Sequence, residues 1–529
     1  MPTFIGSMRD LVPILSCRES VEYEKVLLPT EDAVWKAMSA AGEALARAVL
    51  QDFLWWKAWP NQPHILVLAG KGNNAGDALI AAASLATHLE NVNVTVLPVW
   101  GERSFKTHAR RAFSLLTKKL NDRLHVVEPT ESVFRPPSGK GFTVTLDGML
   151  GAQFAPPVRA PGDAVIRWSR TFSEVLGFRV AVDLPSGIGD RSAEESFPAD
   201  VTYGTGIIKA PVLDPRLIAQ CGRVRFLDLG FFDQLNGELS GPQFATEELL
   251  RPLARLRPAD SDKRNFGKIF VVGGSGHYPG AVLMAAQAAA RAGGGLITAM
   301  VAQSLFPGLA VGAPEVMWGA LPVDVEGGFL PEAVDIVCQR AGDEGVILVG
   351  PGLQVNPANS RFVQRLLRES ELPMVLDAGA LRLEIIECIS ERSASAGPVI
   401  LTPHQGEFNR LARRSGGGVP DAELMDFAAH YRAITVLKGP VTRVSEGKRV
   451  VHVAAGNPVL ARGGSGDILA GMLAARLAVQ PQDGMRAALE AVVWHGRAAD
   501  ALARSRGETG VRTTELLDHL APALRGMEA

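Results

Sequence analysis

Two short apolar runs in this chain each end in a glycine-rich loop, and a helical pattern follows each loop. Residues 64–69 lead into the first loop, and residues 268–272 lead into the second, which precedes an alanine-rich helix predicted over residues 281–292. Runs that are apolar throughout are typical of strands buried on both faces, and their alternation with helices is typical of parallel sheets. The chain is therefore predicted to be an α/β protein with mostly parallel sheets.

Further strand signals divide between two α/β units. We predict strands of the first unit at residues 143–146 and 179–182, and strands of the second at residues 346–349, 374–376, 399–401 and 433–437. A polar, proline-bearing segment, residues 233–264, separates the two sets, so we place the boundary near residue 240. A chain of 529 residues is long enough for two large domains or three smaller ones, and we expect two, residues 1–240 and 241–529.

The composition argues against several classes of partner. Charged residues make up 21% of the chain and the formal net charge is −2, so we expect no nucleic-acid surface. The most apolar stretch, from Ala281 onward, is interrupted by Gln287, Arg291 and three glycines, which argues against a membrane span. An apolar run at residues 11–15 is too short for a signal-peptide core. The four cysteines form no C-x-x-C pair, which fits a reducing cytoplasm and neither a disulfide framework nor a zinc site.

The motif with the clearest chemistry is a glycine-rich turn that opens an apolar helix near the C-terminus. It consists of Arg462, Gly463, Gly464, Ser465, Gly466 and Asp467. Backbone N–H groups in such a turn, with the positive end of the helix, form a site for an anion such as a transferring phosphoryl group. Because a carboxylate repels a resting phosphate, Asp467 indicates a base that takes a proton from a hydroxyl during transfer. The alternative is that Asp467 only caps the helix.

Other loops of the second unit also follow predicted strands and should meet this turn at one edge of the sheet. Lys438 and residues 439–442 offer an ammonium and N–H groups to nucleotide phosphates, and His404 adds an imidazole. Residues 350–352 and 456–458 supply tight turns. A lone histidine is more often structural, and a lone lysine at a strand end is ordinary. The convergence of these motifs on one carboxylate favours a catalytic edge.

The first glycine loop gives only weak evidence for a dinucleotide site. Gly70, Gly72 and Ala75 satisfy the pattern G-x-G-x-x-G/A. The acidic residue expected about 20 positions later is absent, with Glu102 arriving late, which disfavours a hydride-transferring Rossmann domain.

Polar side chains at the strand ends of the first unit are more informative. They are Asn73, Asn74, Asp77, Asp147, Asp183 and Ser186. The carboxyl ends of parallel strands meet at one edge of a sheet, so these side chains are predicted to converge on a ligand. Asn74, Asp147 and Ser186 offer hard oxygen ligands with a single charge, which suits a monovalent cation better than calcium. Each residue alone is also an ordinary loop cap or turn former.

Together these residues resemble the N-terminal domain of the NAD(P)H-hydrate epimerase family, whose motifs are G-x-G-N-N-G-G-D-G, D-A-L-F-G-T-G and D-x-P-S-G. The resemblance covers most of residues 20–230, including residues 38–42, residues 199–202 and Lys209. It implies a Rossmann-like three-layer sandwich with Asp183 as the catalytic residue and a potassium ion held by Asn74, Asp147 and Ser186. It also implies contacts to the hydrated coenzyme from Asn73, Asn74, Ala75, Gly76, Asp77, Gly151, Ala152, Gln153, Phe154, Ala155, Pro156, Pro157 and Asp183.

The first unit departs from this family pattern in two loops. Ala75 and Ala78 replace glycines, and Ala152 with Gln153 replaces the family's Thr-Gly. Glycine allows a positive φ or the close approach of a phosphate, so these changes predict a weakened epimerase. The retained cation ligands and Asp183 favour a domain that is still active.

The second unit resembles the ADP- or ATP-dependent NAD(P)HX dehydratase domain, a branch of the ribokinase-like superfamily. The resemblance covers about residues 250–525 and rests on residues 265–267, 273–275, 280–281, 350–352, 402–404, 438–439, 456–458, 464–467 and 495–496. It implies a ribokinase-like three-layer sandwich with a parallel sheet and Asp467 as the catalytic base. It places the nucleotide at Lys438, Gly439, Pro440, Val441, Thr442 and Gly466, and the hydrated coenzyme at Ala281, Gly352, His404 and Asp467.

One departure in the second unit concerns magnesium, which the resemblance implies for this domain. The family usually has Asp-Ala-Asp where this chain has Asp377, Ala378 and Gly379. A carboxylate linked to the metal is therefore predicted to be missing at Gly379.

Jointly the two resemblances imply a bifunctional repair enzyme for hydrated NADH and NADPH. The first domain would interconvert the R and S hydrates, and the second would dehydrate the S hydrate at the expense of a nucleotide. Bacterial members that resemble this chain use ADP, so we favour ADP over ATP. Two alternatives stay open: a ribokinase-like kinase of a pyrimidine or thiazole alcohol, and a nucleotide-sensing binding protein with an inactive first domain. We expect a cytoplasmic homo-oligomer.

Overall fold

A computed structural model of the chain describes residues 9–128, 141–191, 195–233 and 241–525. The chain divides between residues 240 and 241 into two compact units, each of which mixes helices with a sheet. Across the described ranges, no helix combines the length and the hydrophobicity that crossing a bilayer requires.

The first unit alternates strands and helices along most of its length. Its strands are β1 (Leu11–Leu15), β2 (His64–Ala69), β3 (Asn93–Pro98), β4 (Leu124–Val126), β5 (Val144–Gly148), β6 (Phe178–Val182), β7 (Val201–Thr205), β8 (Ile208–Lys209) and β9 (Arg223–Leu227). Its α-helices are α1 (Cys17–Leu27), α2 (Glu31–Asp52), α3 (Asn73–His88), α4 (Thr107–Leu120), α5 (Gly162–Thr171) and α6 (Ile218–Cys221).

The sheet of the first unit brings its predicted site residues to one edge. The strands follow the order β4-β3-β2-β5-β6-β7-β9, and every neighbouring pair in this order is parallel. Strand β1 pairs in parallel with β8. Because β2, β5 and β6 are adjacent, the loop after β2, Asp147 in β5 and Asp183 after β6 lie at neighbouring carboxyl ends.

Helix α2 shows how the sequence determines packing in this unit. The hydroxyl of Thr30 accepts a hydrogen bond from the N–H of Ala33 (3.1 Å) and caps the helix, which therefore begins at Glu31. Met38, Leu45 and Val49 are buried at the spacing that places side chains on one face of a helix. Each such buried side chain contributes roughly 1.5–3 kcal/mol relative to exposure.

The second unit follows the same alternation with a longer sheet. Its strands are β10 (Gln243–Ala245), β11 (Lys268–Val272), β12 (Leu296–Ala302), β13 (Met317–Leu321), β14 (Val346–Val349), β15 (Met374–Leu376), β16 (Val399–Leu401), β17 (Ile434–Leu437), β18 (Thr442–Ser445) and β19 (Val450–Val453). Its α-helices are α7 (Pro279–Arg291), α8 (Phe306–Ala310), α9 (Glu332–Ala341), α10 (Pro357–Glu369), α11 (Leu383–Ile386), α12 (Gln405–Leu411), α13 (Asp421–Tyr431), α14 (Ser465–Val479), α15 (Gly484–Arg506) and α16 (Leu520–Arg525).

Short 3-10 helices complete both units. In the first they are Phe53–Trp55, Glu102–Ser104, Asn121–Arg123, Ser173–Leu176 and Ala210–Leu213. In the second they are Glu247–Ala254, Lys263–Phe266, Ala378–Ala380, Glu387–Glu391, Pro458–Leu460 and Thr513–His519.

The sheet of the second unit has a parallel body and an antiparallel extension. Its order is β13-β12-β11-β14-β15-β16-β17-β18-β19-β10, and the pairs from β13 to β17 are parallel. Strands β17, β18 and β19 form an antiparallel meander, and β10 joins β19 in parallel. Loops after β14, β15, β16 and β17 therefore lie side by side at one edge.

Helix α14 is the central helix of the second unit. Ile468, Leu469, Met472 and Leu473 are among a nearly continuous run of buried residues, so the helix is apolar all round rather than on one face. It packs against α7 and α15 and lies on strands of the parallel body. The glycine turn at its N-terminus is therefore attached to a buried and rigid element.

The predicted α/β class with mostly parallel sheets is confirmed. The strands predicted at residues 64–69, 268–272, 346–349, 374–376 and 399–401 have the observed bounds. Strand β5 instead extends to Gly148, β6 begins at Phe178, and β17 begins at Ile434. The alanine-rich helix begins at Pro279, since the first helical turn accommodates proline.

Candidate active sites of the two units

The predicted anion-binding turn of the second unit opens α14. Gly464 has a left-handed φ of 93°, and a Cβ there would lie 2.7 Å from the Met284 methyl carbon, so this position requires glycine. The helix begins at the next residue, Ser465, and no side chain caps it. Its first N–H groups lack partners within the helix, and together with the helix dipole they suit the binding of an anion.

An ammonium group lies against this turn. The Nζ atom of Lys438 is 3.3 Å from where a Cβ of Gly466 would stand. Lys438 donates to Asp377 Oδ1 (3.1 Å), which also accepts from the Thr402 hydroxyl (2.6 Å). Burial alone would lower the pKa of Lys438, but Asp377 and Glu407 outweigh burial and raise it. The lysine is therefore charged where a phosphate would bind.

Asp467 lies in the first turn of α14, beside that ammonium. Burial raises the pKa of its carboxyl to about 6; Asp377 adds to the rise and Lys438 opposes it. A carboxylate with a pKa near neutrality is a better proton acceptor than an exposed aspartate, because its conjugate acid is weaker. The geometry thus places a carboxyl group, an ammonium group and the N-terminus of a helix together.

His404 caps the helix that follows β16. Its Nδ1 accepts hydrogen bonds from the N–H groups of Gly406 (3.0 Å) and Glu407 (3.3 Å), so Nδ1 is unprotonated. An isolated parallel bridge joins His404 to Lys438, which confirms that both lie at the same edge. The side chain is 56% exposed, and its Nε2 lies 3.6 Å from Glu407 Oε2.

The residues predicted to contact the coenzyme in this unit include one close pair. A Cβ on Gly352 would lie 3.0 Å from the Cβ of Ala281, so the loop after β14 touches the first turn of α7. Residues 439–442 form the turn between β17 and β18, where the Thr442 hydroxyl donates to the Gly439 carbonyl (3.4 Å).

The structure gives a local reason for glycine at position 379. A Cβ there would stand 2.2 Å from the Leu353 carbonyl oxygen, closer than any side chain tolerates. The preceding Ala378 has a left-handed φ of 46°. The backbone of this chain thus leaves no room for the carboxylate that the family usually carries at this position.

In the first unit, Asp183 forms a buried ion pair. Lys209, which is 1% exposed, donates to Asp183 Oδ1 (2.5 Å), and the Thr205 hydroxyl lies 3.3 Å from the same oxygen. Asp183 has a left-handed φ of 68°, a conformation that non-glycine residues adopt at a cost. Strained, ion-paired aspartates at strand ends are a frequent feature of functional sites.

Asp77 lies on the first part of α3 and adds a second acid to this site. Burial raises its pKa well above the usual range, and the charges of Asp183 and Glu24 add to that rise. Glu24 also lies 3.9 Å from the Lys209 ammonium, and burial raises its pKa. Three acids thus lie near one lysine, and the charge of Lys209 opposes the rise in the pKa of Asp77 and of Glu24.

The three predicted cation ligands meet at the neighbouring strand ends. Ser186 donates from its hydroxyl to Asp147 Oδ1 (2.6 Å) and from its N–H to Oδ2 (2.7 Å). The Asn74 amide nitrogen donates to the Leu150 carbonyl (2.7 Å), while the Leu150 N–H donates to Ser186 (2.9 Å). Burial nevertheless raises the pKa of Asp147 to about 6. A monovalent cation would offset the cost of this buried carboxylate.

Ala75 and Ala78, which replace glycines of the family pattern, fit the backbone of α3. Both residues are fully buried in α3, and neither has a positive φ. One of the two reasons to expect a weakened site, the need for a left-handed backbone, therefore does not apply. Gln153 lies exposed in the loop 151–157, where the Phe154 N–H donates to the Gly151 carbonyl (2.9 Å).

Sequence inspection gave no role to three residues that the structure brings into the sites. Asp377 holds Lys438, Lys209 holds Asp183, and Glu407 faces the Lys438 ammonium. A usable signal existed for Asp377, because it directly follows a buried strand in the way that Asp183 does. Lys209 was already part of the family resemblance, whereas Glu407 carries no such local signal.

The second unit has a glycine turn at a helix N-terminus, an ammonium group and a carboxyl group of raised pKa at the edge of a parallel sheet, where ligands of α/β enzymes commonly bind. Residues 269–522 match the family model described as NAD(P)H-hydrate dehydratase, and residues 36–210 match the model described as YjeF-related protein N-terminus.

Curated relatives resemble both units together. The bifunctional NAD(P)H-hydrate repair enzyme of Moorella thermoacetica is 30% identical over 88% of this chain and 88% of its own. The enzyme of Coxiella burnetii is 30% identical over 95% of this chain and 97% of its own. The enzyme of Gloeobacter violaceus is 31% identical over 95% of this chain and 96% of its own. The chain belongs to the family of bifunctional NAD(P)H-hydrate repair enzymes.

Proposed function

We propose that this chain repairs hydrated NADH and NADPH, with epimerisation of the R and S hydrates in the first unit and nucleotide-dependent dehydration of the S hydrate in the second. The observation that carries the proposal is the placement of Asp467, with a pKa of about 6, beside the Lys438 ammonium and the turn at residues 464–466. Its relatives carry the name of this repair activity.

The chemistry of dehydration explains why a phosphate-transferring fold suits this task. The hydrate carries a hydroxyl at C6 of the nicotinamide ring, and hydroxide is a poor leaving group. Asp467 accepts the hydroxyl proton while the terminal phosphoryl group of the nucleotide passes to the C6 oxygen. The C6–O bond then breaks with the electron pair leaving on phosphate, and loss of a proton from C5 restores the ring double bond. The N–H groups at residues 464–466 stabilise the charge of the moving phosphoryl group.

Lys438, Gly439, Pro440, Val441, Thr442 and Gly466 bind the nucleotide in this proposal. The support is the contact of Lys438 with the α14 turn and the exposed turn that follows it. We favour ADP over ATP as the donor. The family also implies Mg²⁺, yet the described residues contain no group of three or more His, Cys, Asp or Glu side chains arranged to hold a metal. A magnesium ion would therefore rely mainly on nucleotide phosphates and water, as this ion commonly does.

Ala281, Gly352 and His404 bind the hydrated coenzyme in the second unit. The Ala281–Gly352 contact forms a narrow wall, and small residues there let a flat ring approach the backbone. His404 uses Nδ1 as a helix cap, which leaves Nε2, 3.6 Å from Glu407 Oε2, for a ligand. A neutral imidazole in this tautomer donates one hydrogen bond, which fits the carboxamide oxygen of the ring.

The first unit carries the epimerase, with Asp183 as its catalytic residue. Epimerisation at C6 needs groups that accept and return protons, and the buried set of Asp183, Lys209 and Asp77 supplies them. The hydrated coenzyme lies between residues 73–77 and the loop 151–157. K⁺ at Asn74, Asp147 and Ser186 orders the strand ends beneath it. Replacing K⁺ with choline should slow epimerisation and leave dehydration of the S hydrate unchanged; equal rates in both salts would remove this cation from the proposal.

Two other functions fit parts of the site less well. A kinase of a pyrimidine or thiazole alcohol would use the same turn and base but has no need of the fused first unit. A nucleotide sensor with an inactive first unit would not require a partly buried Asp467 with a raised pKa.

The proposal also covers the cellular compartment and the oligomeric state of the protein. All four cysteines, Cys17, Cys221, Cys338 and Cys388, are free thiols, which agrees with a reducing cytoplasm. We further propose a homo-oligomer, which size-exclusion chromatography with light scattering tests directly.

One assay separates these functions. The purified chain is incubated with the separate R and S hydrates of NADH and with ADP or ATP, and the absorbance of restored dihydronicotinamide is followed. Recovery of both hydrates supports the full proposal. Recovery of the S hydrate alone shows that the first unit is inert, and recovery of neither rules the proposal out.

A further inference from the structure

Arg462 lies at the start of the catalytic turn, and its guanidinium donates hydrogen bonds to three backbone carbonyls. Its Nη1 donates to the Val511 carbonyl (2.7 Å), and its Nη2 donates to the carbonyls of Glu508 (2.6 Å) and Thr509 (2.9 Å). These carbonyls belong to the segment that follows α15, which we call the 507–512 segment. Oxygen atoms that converge in this way repel one another unless a cation lies between them.

The residue that directly follows the 507–512 segment makes a second contact with the turn. The Thr513 hydroxyl, next to the 507–512 segment, donates to the Gly463 carbonyl (2.9 Å). On the inner side, the Ser465 hydroxyl lies within hydrogen-bond distance of the carbonyls of Leu460 (2.6 Å) and Arg462 (3.0 Å). The residues before Asp467 are thus held from both sides, and Arg462 makes most of the outer contacts.

We propose that Arg462 is a positioning residue for the dehydratase: a cation, covalently attached to the catalytic turn, that fixes residues 464–467 by binding the carbonyls of the 507–512 segment. The proposal rests on the proposed function of the second unit. Guanidinium suits this task because its planar fork donates to several acceptors at once and stays charged at all working pH values. Without it the carbonyls separate, the turn loosens, and the base and the anion site lose their mutual alignment. A misplacement of about 1 Å is able to cost about 100-fold in rate.

Chemical rescue tests this role. Arg462→Ala removes the cation but leaves Asp467, Lys438 and the glycines in place, so kcat for the S hydrate should fall at least about tenfold with a smaller change in KM for the nucleotide. Millimolar guanidinium chloride should restore a large part of kcat, whereas the same concentration of sodium chloride should not. Arg462→Lys keeps one cationic centre, so its kcat should lie between those of the wild type and Arg462→Ala. Arg340→Ala, which removes an exposed arginine of α9, is the matched control and should show the wild-type rate with no response to guanidinium.

Hydrogen exchange supplies a measurement that does not depend on activity. Amides of the 507–512 segment should exchange faster in Arg462→Ala and recover protection on addition of guanidinium. If Arg462→Ala keeps the wild-type kcat, or if guanidinium restores protection but not kcat, Arg462 is not a positioning residue. If the wild-type protein itself fails to dehydrate the S hydrate, the proposed function falls, and the exchange experiment still decides whether Arg462 holds the segment. Should Arg462→Ala not fold, Arg462→Lys keeps the charge but loses the planar fork, and it should lower kcat and speed exchange in the 507–512 segment; wild-type values of both would overturn the proposal.

Discussion

At the scale of single residues, the second site depends on one carboxyl whose environment opposes its ionisation. Burial and Asp377 raise the pKa of Asp467, while Lys438 lowers it, and the result is a group that titrates at about 6. Lys438 is held by Asp377, which is nearly inaccessible to solvent. The lysine thus keeps its charge in a partly buried place, where it limits the rise in the pKa of Asp467 that burial and Asp377 cause.

Asp467→Asn is expected to remove dehydration while leaving nucleotide binding nearly intact. Asparagine preserves size and hydrogen bonding but cannot take a proton, so kcat should fall about 10³-fold, within the range of lost general bases. Stopped-assay turnover of the S hydrate and calorimetric binding of ADP measure the two effects separately. Retained turnover would show that another group is the base.

The pH dependence of dehydration follows from the same carboxyl. Asp467 accepts a proton only when it is ionised, so kcat/KM should fall as the pH drops through about 6 and decrease about tenfold per further pH unit. The profile should be flat from the pKa to the alkaline side until other groups titrate. A profile that stays level down to pH values near 4 would mean that Asp467 does not act as the base.

At the scale of secondary-structure elements, the strands were predictable and the loop geometry was not. Apolar runs such as residues 268–272 and 346–349 match the observed strands. A parallel strand that is buried on both faces is apolar along its whole length, so the apolar run marks where the strand begins and ends. The pairing of Lys438 with Asp377 joins residues far apart in the chain, and only the order of β15, β16 and β17 brings them together. Similarly, glycine at position 379 suggested a lost carboxylate, whereas the structure shows a close backbone contact that no local pattern reveals.

Substitution of Gly379 should destabilise the second unit. Gly379→Ala places a Cβ 2.2 Å from the Leu353 carbonyl oxygen, so the two loops must separate, at a cost of about 2 kcal/mol. Gly308→Ala in α8 is the matched control, because its Cβ meets open space and alanine favours the helix. Thermal unfolding followed by circular dichroism should show a lower transition temperature for Gly379→Ala only. Equal transition temperatures for the two variants would show that the two loops separate without a measurable loss of stability.

At the scale of the whole molecule, each site is built within one compact unit. Asp183, Lys209 and Asp77 belong to the first unit, and Asp377, Lys438 and Asp467 to the second. The sites share no residue, and the chemistry needs only that the S hydrate leaves one site and reaches the other. The benefit of fusion therefore lies in supplying both activities in equal amounts.

This separation predicts complementation between two variants that each lack one of the two activities. Asp183→Asn alone should recover only the S hydrate, and Asp467→Asn alone should recover neither. An equimolar mixture should recover both, at a rate set by diffusion of the S hydrate between molecules. Absorbance of restored dihydronicotinamide measures all three. A mixture that recovers no R hydrate would show that the units must act within one chain.

The most direct test of the central claim is to measure restored dihydronicotinamide and released inorganic phosphate together during turnover of the S hydrate with ADP. If Asp467 and the turn at residues 464–466 activate the hydroxyl by phosphorylation, one phosphate should appear for each coenzyme restored, and both should disappear in Asp467→Asn. Accumulation of a stable phosphorylated product without restored coenzyme would contradict the account and indicate a simple kinase.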